Sequence, residues 1–324
     1  MSGTGSAADT MPATGFVGLG AMGGQMAGRL LAAGHRLYGT NRTRSKAAGL
    51  IEDGLVWCAT PREVAERAEV TFSMVTDDRA LDSITSGPDG LLAGFGPGKI
   101  YVDMSTVSTT ASSQVAGRVL AAGARMLAAP VSGSVPAAAE GSLAVVASGD
   151  GEAFRAVESR LRVLGRSVRY VGPGEQALLL KLAINISIGV QMLAFSEGVL
   201  LAERGGIDPR LAVEVLTDSA IASPMLKARG PLVLDLPEEA WFDLALMQKD
   251  IRLALATGRQ SNTPLPTSAV TDEVLTQARE LGYEQRDIAA LFQALRRLAG
   301  RPSPAAEPGA GPGAGEPGFV QLGR

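Results

Sequence analysis

One lysine stands almost alone in a long apolar stretch of the chain. From Ala177 to Ser196 the sequence reads ALLLKLAINISIGVQMLAFS, and Lys181 is its only charged residue. Asn185 follows four residues later, so the two side chains would share one face of a helix. Burial lowers the pKa of an amine towards neutrality, where it can release and regain a proton. Lys181 is therefore a candidate catalytic acid, although a lysine that extends from an apolar helix to water would give the same pattern.

Other residues that carry acid–base or metal chemistry are scarce. The one histidine, His35, follows Gly34 where a predicted helix gives way to a strand. In a βα unit this is the sheet edge away from the ligand crevice, which favours a structural or exposed histidine. No tyrosine is followed four residues later by lysine, so the Tyr-x-x-x-Lys pair of short-chain dehydrogenases is absent. With Cys58 as the only cysteine, we predict no metal site.

Composition excludes several classes of protein. The 324 residues are 46% hydrophobic and carry a net charge of -3, which suits one large or two ordinary domains and provides no basic surface for nucleic acid. The N-terminus lacks the apolar run of a signal peptide, and one cysteine permits no internal disulfide. Lys181, Asn185 and Gln191 interrupt the one stretch long enough to cross a bilayer. We expect a cytoplasmic protein without a membrane partner.

Strands alternate with helices through the first half of the chain. Helices are predicted after the first strand up to Ala33, over 44–53 and over 109–122. The predicted strands are Thr14–Val17, Arg36–Thr40, Val70–Val75, Lys99–Asp103, Arg125–Ala129, Leu143–Ser148 and Ser167–Val171. This alternation predicts an α/β fold with a Rossmann-type, doubly wound parallel sheet, which the last two strands would extend.

The strand pattern ends at the chain breaker Gly172-Pro173-Gly174. Beyond it we predict only helices, over Gln176–Arg204, Pro209–Ser219, Trp241–Arg259, Pro266–Leu281 and Arg286–Leu298. The first would be a long interdomain helix leading from a nucleotide-binding domain, 14–173, into an all-helical C-terminal domain, 174–300. Residues 1–13 and the Pro/Gly-rich tail 301–324 are predicted to be disordered.

A glycine-rich loop follows the first predicted strand. Its residues are Gly18, Leu19, Gly20, Ala21, Met22 and Gly23, and a predicted helix begins within it. In this context the spacing G-x-G-x-x-G is typical of dinucleotide binding, with the pyrophosphate at the helix N-terminus. A purely structural glycine-rich turn is the alternative.

The end of the second strand bears on the choice between NAD and NADP. An acidic residue there would bind the ribose 2′-hydroxyl, but this chain has Asn41, Arg42 and Thr43. Arg42 could hold a 2′-phosphate through charge-assisted hydrogen bonds, which favours NADP and leaves NAD possible. The same residues could also form an ordinary polar turn.

Five motifs in order resemble those of the β-hydroxyacid dehydrogenase family, which includes 3-hydroxyisobutyrate dehydrogenases. They are GFVGLGAMG from Gly15, DMSTVS from Asp103, PVSGS from Pro130, KLAIN from Lys181 and QKDIRLA from Gln248. The chain is most similar to the glyoxylate/succinic semialdehyde reductase branch, since Ile184 rather than asparagine precedes Asn185. Relatives often have an acid where Ala128 stands, which leaves the substrate open.

The resemblance implies a role for each matching residue. Lys181 would be the catalytic lysine, with Asn185 orienting it or the substrate; without the resemblance, Asn185 could equally join two packed helices. Substrate would meet Ser132, Gly133, Ser134, Phe242 and Asp250, and the cofactor would also meet Val75, Thr76, Thr106 and Lys249. Judged from the residues alone, the serine loop could be an ordinary strand-exit turn, and Lys249–Asp250 a surface ion pair.

The resemblance implies NADPH-dependent reduction of a small aldehyde acid, such as glyoxylate or succinic semialdehyde, by a homodimer or homotetramer associated through the helical domain. Lys181 would supply the proton and stabilise the developing alkoxide. The main alternative is an NAD-dependent dehydrogenase of a 3-hydroxy acid. Imine reduction and a non-catalytic chromatin scaffold are disfavoured, because relatives with those functions lack the lysine.

Overall fold

The computed structural model describes residues 12–300. The predicted tail 301–324, and all of the predicted N-terminal segment except its last two residues, lie outside the described residues.

The first half of the chain contains a sheet of nine strands. They are β1 (Thr14–Val17), β2 (Leu37–Thr40), β3 (Val56–Trp57), β4 (Val70–Ser73), β5 (Ile100–Asp103), β6 (Arg125–Ala128), β7 (Val131–Ser132), β8 (Leu143–Gly149) and β9 (Gly165–Tyr170). Their order is β3-β2-β1-β4-β5-β6-β8-β7, with β9 paired to β8. The first six strands in this order are parallel. From β1, the strands β2 and β3 extend the sheet to one side, and β4 to β6 extend it to the other, which is the arrangement of a Rossmann-type domain.

One feature of the predicted sheet was wrong. We expected the last two strands to extend the parallel sheet, but β8 runs antiparallel to β6, and β7 runs antiparallel to β8. Among the last three strands, β9 alone has a parallel pairing, with β8. The antiparallel strand follows because a two-residue strand and a six-residue helix, rather than a full crossover helix, separate β6 from β8.

Helices cover the sheet and form the whole second half of the chain. In the first half they are α1 (Ala21–Ala32), α2 (Ala48–Glu52), α3 (Pro61–Arg67), α4 (Asp78–Thr85), α5 (Leu91–Gly94), α6 (Thr109–Ala121), α7 (Val135–Glu140) and α8 (Gly151–Leu164). In the second half they are α9 (Gln176–Arg204), α10 (Pro209–Asp218), α11 (Pro224–Arg229), α12 (Leu244–Gln260), α13 (Pro266–Glu280) and α14 (Leu291–Ala299). The predicted α/β domain, long helix and helical C-terminal half are all present.

Local boundaries differ from prediction where side chains cap the backbone. The predicted helix from Trp241 begins at Leu244, because the Asp243 side chain accepts a hydrogen bond from Leu246 N at 2.7 Å. The predicted helix over 44–53 is a 3-10 turn, Arg44–Ala47, followed by α2. Helix α8 was missed, although Asp150 caps it and apolar residues recur along its buried face.

Both faces of the sheet are buried, in two separate apolar clusters. Phe16 and Val102 pack with the cluster on one face, and their neighbours Val17 and Tyr101 pack with the cluster on the other. This alternation is what helices on both sides of a sheet require. His35 lies two residues before β2 and is 8% exposed, and burial lowers its pKa. Of the two interpretations that the sequence left open, structural or exposed, the burial fits the structural one.

Helix α9 joins the two halves. Among the described residues it is the one helix that is long and apolar enough to cross a membrane by length and composition, a property that buried helices of globular proteins share. Here it packs against β8, α10, α12, α13 and α14. These neighbours cover only part of the helix, and Leu179, Leu180 and Leu201 remain exposed on its other side.

Close packing fixes the glycine loop between β1 and α1. A Cβ atom at Gly23 would lie 2.0 Å from the carbonyl oxygen of Gly18, so only glycine lets α1 approach the strand. Gly18 itself has a φ of 93°, in the left-handed region that favours glycine. At Gly20, in contrast, nothing lies within 4 Å of the Cβ position. The loop therefore leaves open space above Gly20 at the N-terminus of α1.

We predict opposite outcomes for one substitution at two adjacent positions of α1. Gly23→Ala should lower the free energy of unfolding by about 1–3 kcal/mol or more, since backbone must move to admit the methyl group. Gly24→Ala should leave it unchanged or raise it by up to about 1 kcal/mol, because alanine favours the helix and the nearest atom is 3.6 Å away. Urea unfolding measures both, and equal losses would contradict the packing argument.

Candidate active site

Four side chains and one backbone carbonyl group form a continuous series of contacts between the two halves of the protein. Lys181 Nζ donates to Asn185 Oδ1 at 2.9 Å, across one turn of α9. Asn185 Nδ2 in turn donates to Asp250 Oδ2 on α12. Lys249 Nζ lies 2.8 Å from Asp250 Oδ1 and donates to the carbonyl oxygen of Thr106 in the nucleotide-binding half. The structure thus brings together two predicted catalytic residues, one predicted substrate residue and two predicted cofactor residues.

The electrostatic surroundings of Lys181 suit a proton donor. Burial lowers the pKa of its ammonium group from the ordinary 10.5 to about 8; Asp250 opposes this shift, and Lys249 adds to it. Both forms of the amine are therefore populated close to neutral pH. Asn185 and Asp250 are 1% and 2% exposed, so the groups that face the lysine are held in place.

A small residue allows the two site helices to approach. A Cβ atom at Gly189 would lie 3.2 Å from both Met247 Sδ and Ile251 Cδ1 on α12. Gly189 follows Asn185 by four residues and so lies on the same face of α9. This close contact places Asp250 within reach of Asn185.

The predicted cofactor residues cluster at the carboxyl edge of the sheet. Leu19 N donates to Asn41 Oδ1 at 3.1 Å, and Asn41 Nδ2 donates to the carbonyl oxygen of Thr43 at 3.0 Å. The Asn41 side chain therefore ties the glycine loop to the end of β2. Arg42 and Thr43 are exposed beside it. Arg44 was not among the predicted cofactor residues; its guanidinium carbon lies 5.5 Å from the ring centre of Trp57 in the adjacent β3.

A buried hydrogen-bond network supports the loops after β4 and β5. Asp103 Oδ1 accepts from Ser73 Oγ at 2.7 Å and from Ser105 Oγ at 2.6 Å. Ser105 Oγ also accepts from Val75 N at 2.9 Å. Burial raises the pKa of Asp103, and these donors oppose the shift. The network fixes the backbone of Val75 and Ser105, which are next in the chain to predicted cofactor residues Thr76 and Thr106. The sequence offered only the DMSTVS motif as a sign of it.

The remaining predicted substrate residues are not joined to this chain of contacts. Ser132 ends β7, Gly133 has a φ of 148°, and Ser134 precedes α7 without capping it through its side chain. Phe242 lies just before α12 and packs in the apolar core of the helical half. Within residues 12–300, no hydrogen bond connects Lys181 with the serine loop or with Phe242. No group of three His, Cys, Asp or Glu side chains there could hold a metal ion.

The glycine loop lies at the topological switch point of the sheet, between β1 and β4. The open space above Gly20 leaves room for a pyrophosphate. Lys249 of α12 reaches the loop after β5 at the same edge of the sheet, and Lys181 of α9 is linked to it through Asn185 and Asp250. Together these features define a dinucleotide-dependent oxidoreductase.

Comparisons with known proteins specify the family. The profile described as the NAD binding domain of 6-phosphogluconate dehydrogenase matches residues 13–172, and that described as the NAD-binding of NADP-dependent 3-hydroxyisobutyrate dehydrogenase matches residues 176–295. Glyoxylate/succinic semialdehyde reductase 1 of Arabidopsis thaliana is 35% identical over 282 residues, 87% of this chain and 98% of the relative. Cytokine-like nuclear factor N-PAC of Homo sapiens is 33% identical over 290 residues, 90% of this chain and 52% of that protein.

A solved structure of 3-hydroxyisobutyrate dehydrogenase from Salmonella typhimurium is similar, with a TM-score of 0.81 and 27% identity over 87% of this chain and 99% of the other. The chain belongs to the β-hydroxyacid dehydrogenase family. It is an NAD(P)-dependent oxidoreductase that acts on hydroxy or aldehyde groups.

We predict that two neighbouring substitutions shift the pKa of Lys181 in opposite directions. Asp250→Asn removes a negative charge and should lower this pKa below about 8. Lys249→Met removes a positive charge and should raise it. Titration of 13C-methylated lysines by NMR measures the pKa, with Lys181→Arg to assign the resonance. Shifts of the same sign in both variants would contradict the arrangement.

Proposed function

We propose that the protein catalyses the NADPH-dependent reduction of a small aldehyde acid, of the glyoxylate or succinic semialdehyde type, to the hydroxy acid. The observation that carries this proposal is Lys181, whose partly buried amine has a pKa of about 8 and is held by Asn185. When bound, NADPH supplies a hydride to the aldehyde carbon.

The residues supply the proton and the positioning. A carbonyl that accepts hydride becomes an alkoxide, which the Lys181 ammonium stabilises by its charge and then protonates. Asn185 accepts a hydrogen bond from Lys181 and donates to Asp250, so its orientation is fixed and it holds the amine in place. Lys249 joins α12 to the carbonyl oxygen of Thr106 and thereby closes the helical half onto the cofactor side.

The choice of an acid as substrate rests on the serine loop. Gly133 adopts a φ that favours glycine, and Ser132 is only partly buried at the end of β7. The hydroxyl groups of Ser132 and Ser134 and the backbone N–H groups of Gly133 and Ser134 are therefore available for a carboxylate. Similarity to the Arabidopsis reductase supports an aldehyde acid. Similarity to the Salmonella dehydrogenase supports the second candidate, NAD-dependent oxidation of a 3-hydroxy acid.

NADP is favoured by the charge at the end of β2. Arg42 and Arg44 are exposed there, and the stretch from Leu37 to Gly49 contains no acidic residue. A 2′-phosphate would meet cations and no repelling carboxylate. The 3-hydroxy acid dehydrogenase specific for NAD would have no need for this charge.

A homo-oligomer assembled through the helical half is part of the proposal. Large apolar side chains are exposed on α9 and α10, including Leu201 at 76%, Leu211 at 52% and Val215 at 60%. Apolar surface of this kind on adjacent helices is typical of a contact between subunits.

We predict that Lys181→Met lowers the turnover number for the aldehyde acid by roughly 10²–10⁴-fold, because the reaction loses its acid. The affinity for NADPH, measured by cofactor fluorescence, should change little, since no cofactor residue is altered. The exposed Lys227→Met serves as the control and should retain full turnover. Near-normal turnover of Lys181→Met would exclude the lysine as proton donor.

Cofactor selection is predicted to depend on Arg42. Arg42→Ala should raise the KM for NADPH by about ten- to a hundredfold, the value of a lost charged hydrogen bond, and leave the KM for NADH unchanged. Arg36→Ala is a matched control, because Arg36 lies at the other end of β2 and stacks over Tyr38 at 5.4 Å. A wild type that uses NADH much better than NADPH would refute the NADP assignment.

A further inference from the structure

A buried ion pair lies in the helical half, away from Lys181. Arg229 Nη1, at the end of α11, is 2.9 Å from both carboxylate oxygens of Asp287. The two side chains are 10% and 0% exposed. A buried pair of this kind contributes little net stability compared with apolar residues of the same size. Its contacts with other groups therefore indicate what it does.

Asp287 also binds the backbone just before α12. Its Oδ2 accepts from Trp241 N at 2.9 Å and from Phe242 N at 3.2 Å. The Arg229 guanidinium carbon lies 5.6 Å from the ring centre of Trp241. One carboxylate thus holds two consecutive amides, and its counter-ion packs on the side chain of the first.

Neighbouring backbone bonds complete the attachment. Ile288 N donates to the Phe242 carbonyl oxygen at 3.0 Å, and Leu244 N donates to the Arg286 carbonyl oxygen at 3.0 Å. Phe242 is therefore fixed through both its amide and its carbonyl group.

The attached segment is followed directly by α12, which carries two residues of the site. Asp243, the next residue, caps α12, and Lys249 and Asp250 follow within the first two turns of that helix. Asp250 is the carboxylate that holds Asn185, the partner of Lys181. A shift of the segment 241–243 would therefore move both Phe242 and the first turns of α12.

We infer that Asp287, neutralised by Arg229, is a positioning residue that fixes Phe242 and the start of α12 relative to Lys181 and thereby sets the KM for the organic substrate. The inference rests on the proposed function for Phe242 as a substrate contact. The rival interpretation is that the ion pair only stabilises the helical half.

The test compares two variants that differ in stability but both lose the carboxylate of Asp287. Asp287→Asn should raise the KM for the aldehyde acid by about ten- to a hundredfold, as misplaced site residues do. The KM for NADPH should rise less, because Lys249 is the one predicted cofactor residue on α12 and the glycine loop is unaffected. The double variant Arg229→Met/Asp287→Leu should be more stable to heat than Asp287→Asn, since it leaves no unpaired guanidinium in the interior. Its KM for the aldehyde acid should stay raised, because no carboxylate holds the amides of Trp241 and Phe242. A KM that recovers together with stability would overturn the inference.

Two further measurements keep this result separate from folding and from the proposed reaction. Arg160→Met removes another buried arginine, which binds Thr14 and Pro12 at the amino end of β1, on the side of the sheet away from the site. It should reduce stability without changing the KM for the aldehyde acid. In a Trp57→Phe background, the fluorescence of Trp241 should shift in Asp287→Asn with no ligand present; an unchanged spectrum and KM would refute the inference. If the wild type turns over a hydroxy acid instead, the proposed reaction fails, and the same KM comparison with that substrate still decides the role of Asp287.

Discussion

The site depends on one ammonium group held away from water. Lys181 lies in an apolar helix, and desolvation brings its pKa down to about 8, while Asp250 prevents a larger fall. Asn185 connects the two through one hydrogen bond to each, so the carboxylate acts on the lysine without a direct ion pair. A direct pair would favour the charged form more strongly and would hold the proton that the reaction must release. The intervening amide therefore leaves the amine able to titrate.

The rest of the structure places groups around this amine. Gly189 lets α12 pack closely on α9, and Lys249 reaches from α12 to the loop after β5. That loop is held by the buried carboxylate of Asp103, which also binds the loop after β4 through Ser105. The parallel order of the central strands puts the glycine loop on the same edge. Two domains with separate cores thus contribute to one crevice.

Some of this arrangement is visible in the sequence because it is local. A charged residue in an apolar helix, an amide one turn later and three glycines after a strand are all patterns within a few residues, and the fold class follows from the alternation of strands and helices. The direction of β8 could not be predicted, because strand periodicity is the same in parallel and antiparallel pairs. The two-residue strands β3 and β7 are too short to show a period.

The long-range contacts could not be predicted from the sequence for a different reason. The bond from Asn185 to Asp250 spans 65 residues, and that from Lys249 to Thr106 spans 143. The family resemblance placed these residues near substrate or cofactor, but it did not say which atoms meet. Arg229 and Asp287 are ordinary charged residues in the sequence, and only the fold buries them together beneath Trp241.

The central claim is that the proton of reduction comes from Lys181. Its most direct test is the pH dependence of hydride transfer in single turnovers of the wild type, followed by cofactor absorbance in both directions. With a pKa of about 8, reduction of the aldehyde acid should slow as pH rises through that value, since the ammonium form is lost. Oxidation of the hydroxy acid should accelerate over the same range, since it needs the neutral amine. Rates in both directions that do not change across this range would contradict the account.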